Sequence, residues 1–154
     1  MKANTQQQPV RIKNKRAYFD YEILEKFVCG MQLFGTEVKS IRRSKASINE
    51  SFCSFTGHEL FVINMHIADY DFGNINNHEN RRDRKLLLKK KELHRIQKKV
   101  KESGLTVIPL TMFMNGKGLV KLEIGIARGK KTYDKRETLK KDDARREMDR
   151  VMKQ

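Results

Sequence analysis

Two pairs of short apolar runs, each joined by a turn-forming quartet, limit the folds open to this chain. The first pair lies between residues 51 and 67 and flanks the sequence TGHE at 56–59. The second pair, at 107–114 and 119–126, flanks NGKG at 115–118. Apolar runs separated by a few residues that include glycine are typical of β-hairpins. The chain is therefore predicted to contain two antiparallel hairpins.

Alternation within these runs predicts which side chains face a core. The last run is apolar at every second position, namely Val120, Leu122, Ile124 and Ile126. Lys121 and Glu123 should then lie outside, and Pro109 requires an edge strand or a bulge. The same period of two predicts an earlier strand from Ala17 onward, with apolar residues at Phe19, Tyr21, Ile23, Phe27 and Cys29.

A short helix is predicted over residues 35–43, after the first strand. Thr36 can cap it, Glu37 stands in its first turn and basic residues stand in its last turn. Val38 and Ile41 should point inward. Five or more short antiparallel strands with one helical insert suit a small closed antiparallel barrel of the oligonucleotide-binding type with peripheral helices. A mixed α+β sandwich is the competing architecture, and 154 residues allow one core.

The net charge indicates a polyanionic partner. The chain has 34 Lys and Arg against 19 Asp and Glu, which gives a formal charge of +15. Such an excess repels itself unless a polyanion offsets it, and nucleic acid is the leading candidate. No run approaches the roughly 20 apolar residues of a membrane-spanning helix, and the start lacks the apolar core of a signal peptide. We therefore expect a soluble, cytoplasmic protein that binds nucleic acid. The chain is also expected to be a monomer.

The most cationic stretch is residues 81–101, with eleven Lys and Arg against two carboxylates. A helical insert is predicted over about 81–103, because four apolar residues fall on one stripe at helical spacing: Leu86, Leu93, Ile96 and Val100. Leu88 projects to nearly the opposite side. Either the helix breaks near 89–91, or Leu88 is an exposed apolar contact for a nucleotide.

Both ends of the chain differ in composition from the predicted RNA-binding barrel at 14–128. Residues 1–13 hold a glutamine run and Pro9, which predicts a flexible arm. Residues 129–154 hold ten Lys and Arg, six Asp and Glu and few apolar side chains, which predicts a basic tail that is disordered when free. Four of them share one helical face: Ala144, Met148, Val151 and Met152. The tail should become helical when bound, and a purely solubilising tail is the alternative.

No recognisable catalytic or cofactor motif is present. One group could hold a metal for nuclease chemistry: His66, Asp69, Asp71, His78 and Glu79. Carboxylates between strands are more often turn formers, so no metal, cofactor or catalytic residue is predicted. The segment around Gly129 lacks the spacing of a phosphate-binding loop. Cys29 and Cys53 stand alone and are predicted to be small buried thiols.

Several short blocks occur in a specific order and spacing: NKRA at 14–17, GTEVKSIR at 35–42, RKLLL at 84–88 with Glu92 beyond it, and GKKTYDKRE at 129–137. Together they resemble the SmpB family of bacterial tmRNA-binding proteins. The resemblance runs from about residue 14 to residue 151. It implies a barrel of the oligonucleotide-binding type that binds the tRNA-like domain of tmRNA. It also implies delivery of alanyl-tmRNA to stalled ribosomes with elongation factor Tu, and a tail that enters the vacant mRNA channel and decoding site of the small subunit.

The resemblance and the side-chain chemistry together assign site residues. Those expected at the tmRNA face are Asn14, Lys15, Arg16, Lys39, Arg42, Arg82, Lys85, Leu88 and Lys121. Those expected to engage the ribosome are Arg128, Lys130, Lys131, Tyr133, Asp134, Lys135 and Arg136. Tyr133 is the tail's one ring able to stack on a base, a contact worth about 1–3 kcal/mol.

Two departures from the family pattern bear on this assignment. Family members commonly have Glu-Ala-Gly where this chain has VCG at 28–30, so an expected acidic RNA contact is missing. The family's His-Asp-Pro is replaced by HEN at 78–80, which affects the loop into the basic insert. Two rival functions remain open on the sequence: a ribosomal or ribosome-assembly protein that holds ribosomal RNA, and a metal-dependent RNA nuclease.

Overall fold

A computed structural model describes residues 10–73, 77–130 and 132–152. Its strands are β1 (Arg11–Lys13), β2 (Tyr21–Met31), β3 (Ala46–Ser47), β4 (Phe52–Thr56), β5 (Glu59–Ile63), β6 (His66–Ile67), β7 (Arg84–Leu87), β8 (Thr106–Met114) and β9 (Val120–Gly129). Its helices are α1 (Ala17–Asp20), α2 (Gly35–Arg42), α3 (Lys90–Ser103) and α4 (Thr132–Met152). The architecture is mainly β with a few helices, as predicted.

Strand pairing runs in a closed ring. The larger sheet has the order β1-β8-β4-β5-β7-β2-β9, and β9 pairs again with β8. Six strands therefore form the ring, and β1 lies beside β8 as an addition to it. All of these pairings are antiparallel. The short strands β3 and β6 form a separate two-stranded sheet.

Both predicted hairpins are confirmed. Thr56 pairs with Glu59, which leaves Gly57 and His58 as the turn between β4 and β5. Gly57 has φ +63°, in the left-handed region that glycine occupies without strain. The register between β8 and β9 shifts between Pro109 and Thr111, so the predicted irregularity at this proline is present.

The core lies inside the ring and beneath two helices. All four alternating residues of β9 named above are buried, as their spacing predicted. Ile96 of α3 and Ile41 of α2 are fully buried against the same cluster, and Val38 packs against it. The helices thus cover ring surface with their apolar sides, which is the arrangement that stabilises amphipathic helices. No helix in the described ranges is long and apolar enough to cross a membrane.

The predicted helix over 81–103 is wrong in its first part. Residues 84–87 form β7, and α3 begins at Lys90, where the sequence offered a break as one alternative. Lys85 pairs with Phe61 on β5, and Leu86 with Met31 on β2. Pairing on both sides outweighs the helical spacing, because a helix here would leave one edge of β5 and one edge of β2 without hydrogen-bond partners.

Two boundaries also differ from those predicted. The predicted flexible arm over 1–13 ends in β1, whose Ile12 pairs with Met112 of β8, while residues 1–9 lie outside the described part of the chain. The first long strand begins at Tyr21, because residues 17–20 form the single turn α1. An N-terminal strand bound to a sheet edge is thereby ordered by hydrogen bonds that composition does not reveal.

Candidate nucleic-acid interface

A groove of about 390 Å³ lies between α2 and the β2, β7 and β9 strands. We call it the α2 groove, and its walls are Gly30, Met31, Leu33, Val38, Arg42, Leu87, Gly118, Leu119, Val120 and Lys121. It combines exposed apolar side chains with two cations. Such a mixture can bury a sugar or base while neutralising phosphates.

The floor of the α2 groove is set by the register of three strands. Gly30 of β2 pairs with Leu87 of β7 on one side and with Lys121 of β9 on the other. A Cβ atom at Gly30 would lie 3.5 Å from Leu87 Cβ and 3.9 Å from Lys121 Nζ. The leucine and the ammonium group therefore flank one position that carries no side chain. A ligand at this position can contact backbone, an apolar side chain and a cation together.

The expectation that Leu88 is the exposed apolar contact is wrong. Leu88 is half-buried and packs against the core, whereas Leu87 has 47% of its surface exposed. The strand explains this exchange, because alternate residues of β7 face opposite sides: Arg84 and Leu86 are buried, and Leu87 points outward. Period two within RKLL was the signal that could have identified Leu87.

Arg82, predicted to contact RNA, is held by the protein. One terminal nitrogen donates to Glu37 Oε1 at 2.6 Å and to the Gln32 carbonyl at 3.2 Å. Its guanidinium lies 4.2 Å from the centroid of the exposed Phe34 ring. These contacts orient Arg82 along the N-terminal end of α2, so a positioning role fits its surroundings better than direct phosphate binding.

Glu37 and Arg84 form a fully buried ion pair beneath α2. Arg84 also donates to the backbone carbonyls of Met65, Arg82 and Asn80. Burial on its own raises the pKa of Glu37, but hydrogen bonds from Phe34 N–H, Arg82 and Arg84 together lower it below its usual range. The pair thus joins α2 to the start of β7, where the sequence suggested only an RNA-binding cation run.

The predicted contacts Asn14, Lys15 and Arg16 line a second groove, of about 630 Å³. Asn14 is buried, and its Nδ2 donates to the Pro109 carbonyl at 3.0 Å, so this side chain fixes the loop between β1 and α1. Lys15 and Arg16 are exposed. The exposed ring of Phe52 also lines this groove.

Lys39 and Lys85 lie away from the α2 groove. Lys39 is exposed, with Nζ 5.2 Å from the Tyr70 ring centroid. Lys85 Nζ pairs with Glu59 at 2.9 Å. Of the predicted tmRNA-binding residues, the α2 groove therefore brings together only Arg42 and Lys121.

Some cations of the segment 81–101 pair with a carboxylate of the protein, and others face solvent. Arg95 and Lys99 on α3 both pair with Glu25 of β2, at 2.9 and 2.6 Å. Other cations of α3 are exposed, namely Lys90, Lys91, Lys98 and Lys101. Two cations thus attach the helix to the ring, and its outer face remains basic.

The tail begins where β9 ends, and its described part is the helix α4. Arg128 and Arg136 are exposed, and Lys130 donates through Nζ to the Tyr18 carbonyl at 2.8 Å. Lys131 and the side chains of three further predicted contacts lie outside the described part of the chain: Tyr133, Asp134 and Lys135. The exposed side chains of Met148, Val151 and Met152 share one face of α4, as their spacing predicted.

The candidate metal group is dispersed. Asp71 pairs with Arg43 and Lys45, and His78 is buried between Thr36 Oγ1 and the Ile67 carbonyl, at 3.0 and 2.9 Å. Across the described ranges, no group of three or more His, Cys, Asp and Glu side chains could hold an ion.

Both cysteines are buried, as predicted. Burial raises the pKa of Cys29 to about 12 and that of Cys53 well above its usual range, so both remain thiols at neutral pH.

The two departures from the family pattern are accommodated in different ways. Val28 is exposed on β2 and pairs with Glu123, so an apolar side chain stands where an acidic one was expected. The loop at 78–80 closes through its backbone: the Asn80 carbonyl accepts from Ile67 N–H at 3.0 Å and from Arg84 at 3.2 Å.

Known proteins match this chain over most of its length. The SmpB protein family matches residues 11–154. The SsrA-binding protein of Flavobacterium johnsoniae is 57% identical over 94% of this chain and 95% of its own. That of Thermosipho africanus is 51% identical over 91% and 94%. A solved structure described as "tmRNA-SmpB: a journey to the center of the bacterial ribosome" has 44% identity and a TM-score of 0.68, covering 84% of this chain and 94% of that one. This chain therefore belongs to the SmpB protein family.

Proposed function

We propose that this protein binds the tRNA-like domain of tmRNA and, with elongation factor Tu, delivers alanyl-tmRNA to stalled ribosomes. The observation that carries the proposal is the α2 groove, in which Leu87 and Lys121 flank the bare backbone of Gly30. A net charge of +15 supplies the long-range attraction to RNA. Relatives named SsrA-binding proteins, at 51–57% identity, support the same partner.

The ring of strands is further proposed to be a closed barrel of the oligonucleotide-binding type. Six antiparallel strands in one cycle, with helices outside, support this assignment. In such barrels one face and its loops bind nucleic acid. Here the α2 groove opens on the β2, β7 and β9 strands, which are neighbours in the ring.

The RNA contacts are proposed in two sets. The α2 groove supplies Leu87, Arg42 and Lys121, and the second groove supplies Lys15 and Arg16. Lys39 and Lys85 extend the basic surface. Asn14, Arg82 and Leu88 support the site through the contacts described above, rather than by touching RNA.

The tail is proposed to act on the ribosome rather than on tmRNA. Few of its side chains are apolar, and Met148, Val151 and Met152 of α4 are exposed. We therefore expect α4 to be only marginally stable in the free protein and to be stabilised as a helix by the mRNA channel and decoding site of the small subunit. Its predicted contacts there are Arg128, Lys130, Lys131, Tyr133, Asp134, Lys135 and Arg136. The exposed apolar face around Met148 is available to such a surface.

The test separates RNA binding from activity on the ribosome. Deleting residues 129–154 should leave affinity for the tRNA-like domain nearly unchanged and abolish peptide tagging on ribosomes stalled without a stop codon. Met148→Pro, which costs about 3 kcal/mol inside a helix, should copy the deletion if the tail acts as a helix. Equal losses of affinity and tagging on deletion would instead make the tail a tmRNA-binding arm.

The rival ribosomal-protein function has a direct test. A permanent ribosomal or assembly protein should cofractionate with all ribosomes and copurify with ribosomal RNA. The proposed rescue factor should be substoichiometric, enriched on stalled ribosomes, and copurify with tmRNA. Sequencing the RNA bound to the purified protein distinguishes the two outcomes.

A further inference from the structure

Two aromatic rings of a turn at residues 70–73 lie against two cations from the C-terminal end of α2. We call residues 70–73 the aromatic turn. The Tyr70 and Phe72 rings pack edge to face with centroids 5.5 Å apart, and the Arg43 guanidinium lies 5.3 Å from both. Lys39 Nζ lies 5.2 Å from Tyr70. Phe72 is nevertheless 69% exposed, so these contacts leave most of its ring uncovered.

Hydrogen bonds hold the aromatic turn in shape. The Asn77 side chain accepts from Tyr70 N–H and donates to the Tyr70 carbonyl, both at 2.9 Å. Gly73 N–H donates to that same carbonyl at 2.9 Å. A Cβ at Gly73 would lie 2.7 Å from Asn77 Nδ2, so glycine is needed for this close approach. The backbone that carries both rings is thus fixed before any ligand arrives, which lowers the entropy lost on binding.

An ion-pair bridge attaches the aromatic turn to α2. Asp71 Oδ2 accepts from Lys45 Nζ at 3.1 Å and from Arg43 at 3.4 Å. The Ser40 hydroxyl donates to the Ala68 carbonyl at 2.7 Å. Asp71 therefore fixes the arginine that lies against both rings. It also offsets part of the positive charge, which leaves stacking as the larger contribution expected from this site.

The aromatic turn and the α2 groove share helix α2. Lys39 and Arg43 are four residues apart and lie on the side facing the turn, whereas Val38 and Arg42 line the groove. One RNA can therefore follow α2 from one surface to the other. Cations stand on both sides of α2, with Lys39 and Arg43 toward the turn and Arg42 in the groove, and this distribution favours a polyanion over a protein partner.

We propose that the aromatic turn is a second RNA site, at which an unpaired base of the tRNA-like domain stacks on Phe72. This inference rests on the proposed function, because it takes tmRNA as the partner. Proteins recognise unpaired bases by stacking them on aromatic rings beside cations that attract the phosphates. Lys39 is the nearby cation for the phosphates, because Asp71 pairs with Lys45 and Arg43. Arg43 lies against both rings and holds them in place.

A tryptophan at position 72 tests the stacking directly. The chain contains no tryptophan and four tyrosines, so Phe72→Trp creates a single tryptophan that can be excited selectively at wavelengths where tyrosine absorbs little. Adding the tRNA-like domain should quench its fluorescence, with saturation at the concentration where a labelled RNA shows binding. The matched control is Leu24→Trp on β2, where a side chain of 43% exposure lies outside the proposed contacts. Its fluorescence should change little.

Affinity measurements give an independent result. Phe72→Ala and Phe72→Leu should both weaken binding by about 5- to 150-fold, the range for one stacked base, whereas Phe72→Tyr keeps the ring and should bind as the wild type does. Unchanged melting temperatures establish that the exposed ring is not needed for folding.

The failures are distinguishable. If wild-type protein does not bind the tRNA-like domain, the proposed function fails. If it binds, but Phe72→Ala binds equally well and Phe72→Trp is not quenched, the inference alone is overturned. Quenching by small ribosomal subunits and not by the tRNA-like domain would also overturn it, because the partner would then be ribosomal RNA.

Discussion

Two adjacent leucines at the end of β7 should respond differently to replacement by alanine. Loss of Leu87 should weaken RNA binding, and loss of Leu88 should lower the stability of the fold. Leu87 has 47% of its surface exposed in the α2 groove. Fully burying a leucine contributes about 1.5–3 kcal/mol, so covering the exposed half on RNA binding contributes about 0.7–1.4 kcal/mol. Leu87→Ala should therefore weaken binding of the tRNA-like domain about 3- to 10-fold. The slope of affinity against salt should not change, because no charge is removed.

Leu88→Ala is the matched comparison, with the same atoms removed one residue later. Leu88 is half-buried against the core, so its truncation should cost about half of the 2–5 kcal/mol typical of a buried leucine. For a chain of this length that lowers Tm by about 2–10 °C. Fluorescence anisotropy and thermal melts of both variants measure the two effects. Weaker RNA binding by Leu88→Ala without loss of stability, together with normal binding by Leu87→Ala, would show that Leu88 and not Leu87 contacts the RNA.

Three further predictions concern charge and titration. Lys121→Ala should lower the log–log salt slope of RNA binding by about 0.7–0.9, whereas Lys13→Ala, which removes an exposed lysine, should change it little. Equal slopes for the two variants would show that Lys121 does not contact RNA. Glu37→Gln leaves Arg84 buried without its counterion and should cost about 3–5 kcal/mol of unfolding free energy by denaturant titration. Because the folded pKa of Glu37 is lowered from its ordinary 4.5, its contribution is present above that pH and is lost as pH falls through the folded pKa, so wild type and variant should converge in acid. Cys29 should resist iodoacetamide at pH 8 in the native protein and react after unfolding, since its pKa is about 12.

Local patterns predicted the elements whose partners are close in sequence. The hairpin at 52–63 follows from two apolar runs around a glycine turn, and the burial of Leu122 and Ile124 follows from alternation. The helix at 35–42 follows from its first-turn acid and last-turn bases. There Glu37 does more than favour the helix dipole: it accepts from Phe34 N–H at 2.8 Å and pairs with two arginines.

The strand β7 shows where local pattern was insufficient. RKLLL matches a helical stripe and a strand equally well over so few residues. Its state was decided by Phe61 on one side and Met31 on the other, about 25 and 55 residues away in the chain. Because these residues form a strand and not a helix, Leu87 is exposed and Leu88 is half-buried. The expected contact residue is therefore Leu87 instead of Leu88.

Composition, hairpin spacing and the family's blocks thus determined the class of partner and most of the fold from sequence alone, because net charge and short-range periodicity are properties of the chain itself. Only the tertiary structure decided which cations face solvent. Arg82 and Arg84 come from the same basic run as the exposed Lys98, yet Glu37 holds both beneath α2. The aromatic turn was likewise invisible, since Arg43 and Phe72 meet through space. The sequence shows which side chains are charged but not what surrounds them, because packing determines whether water, a carboxylate or an aromatic ring lies beside each one.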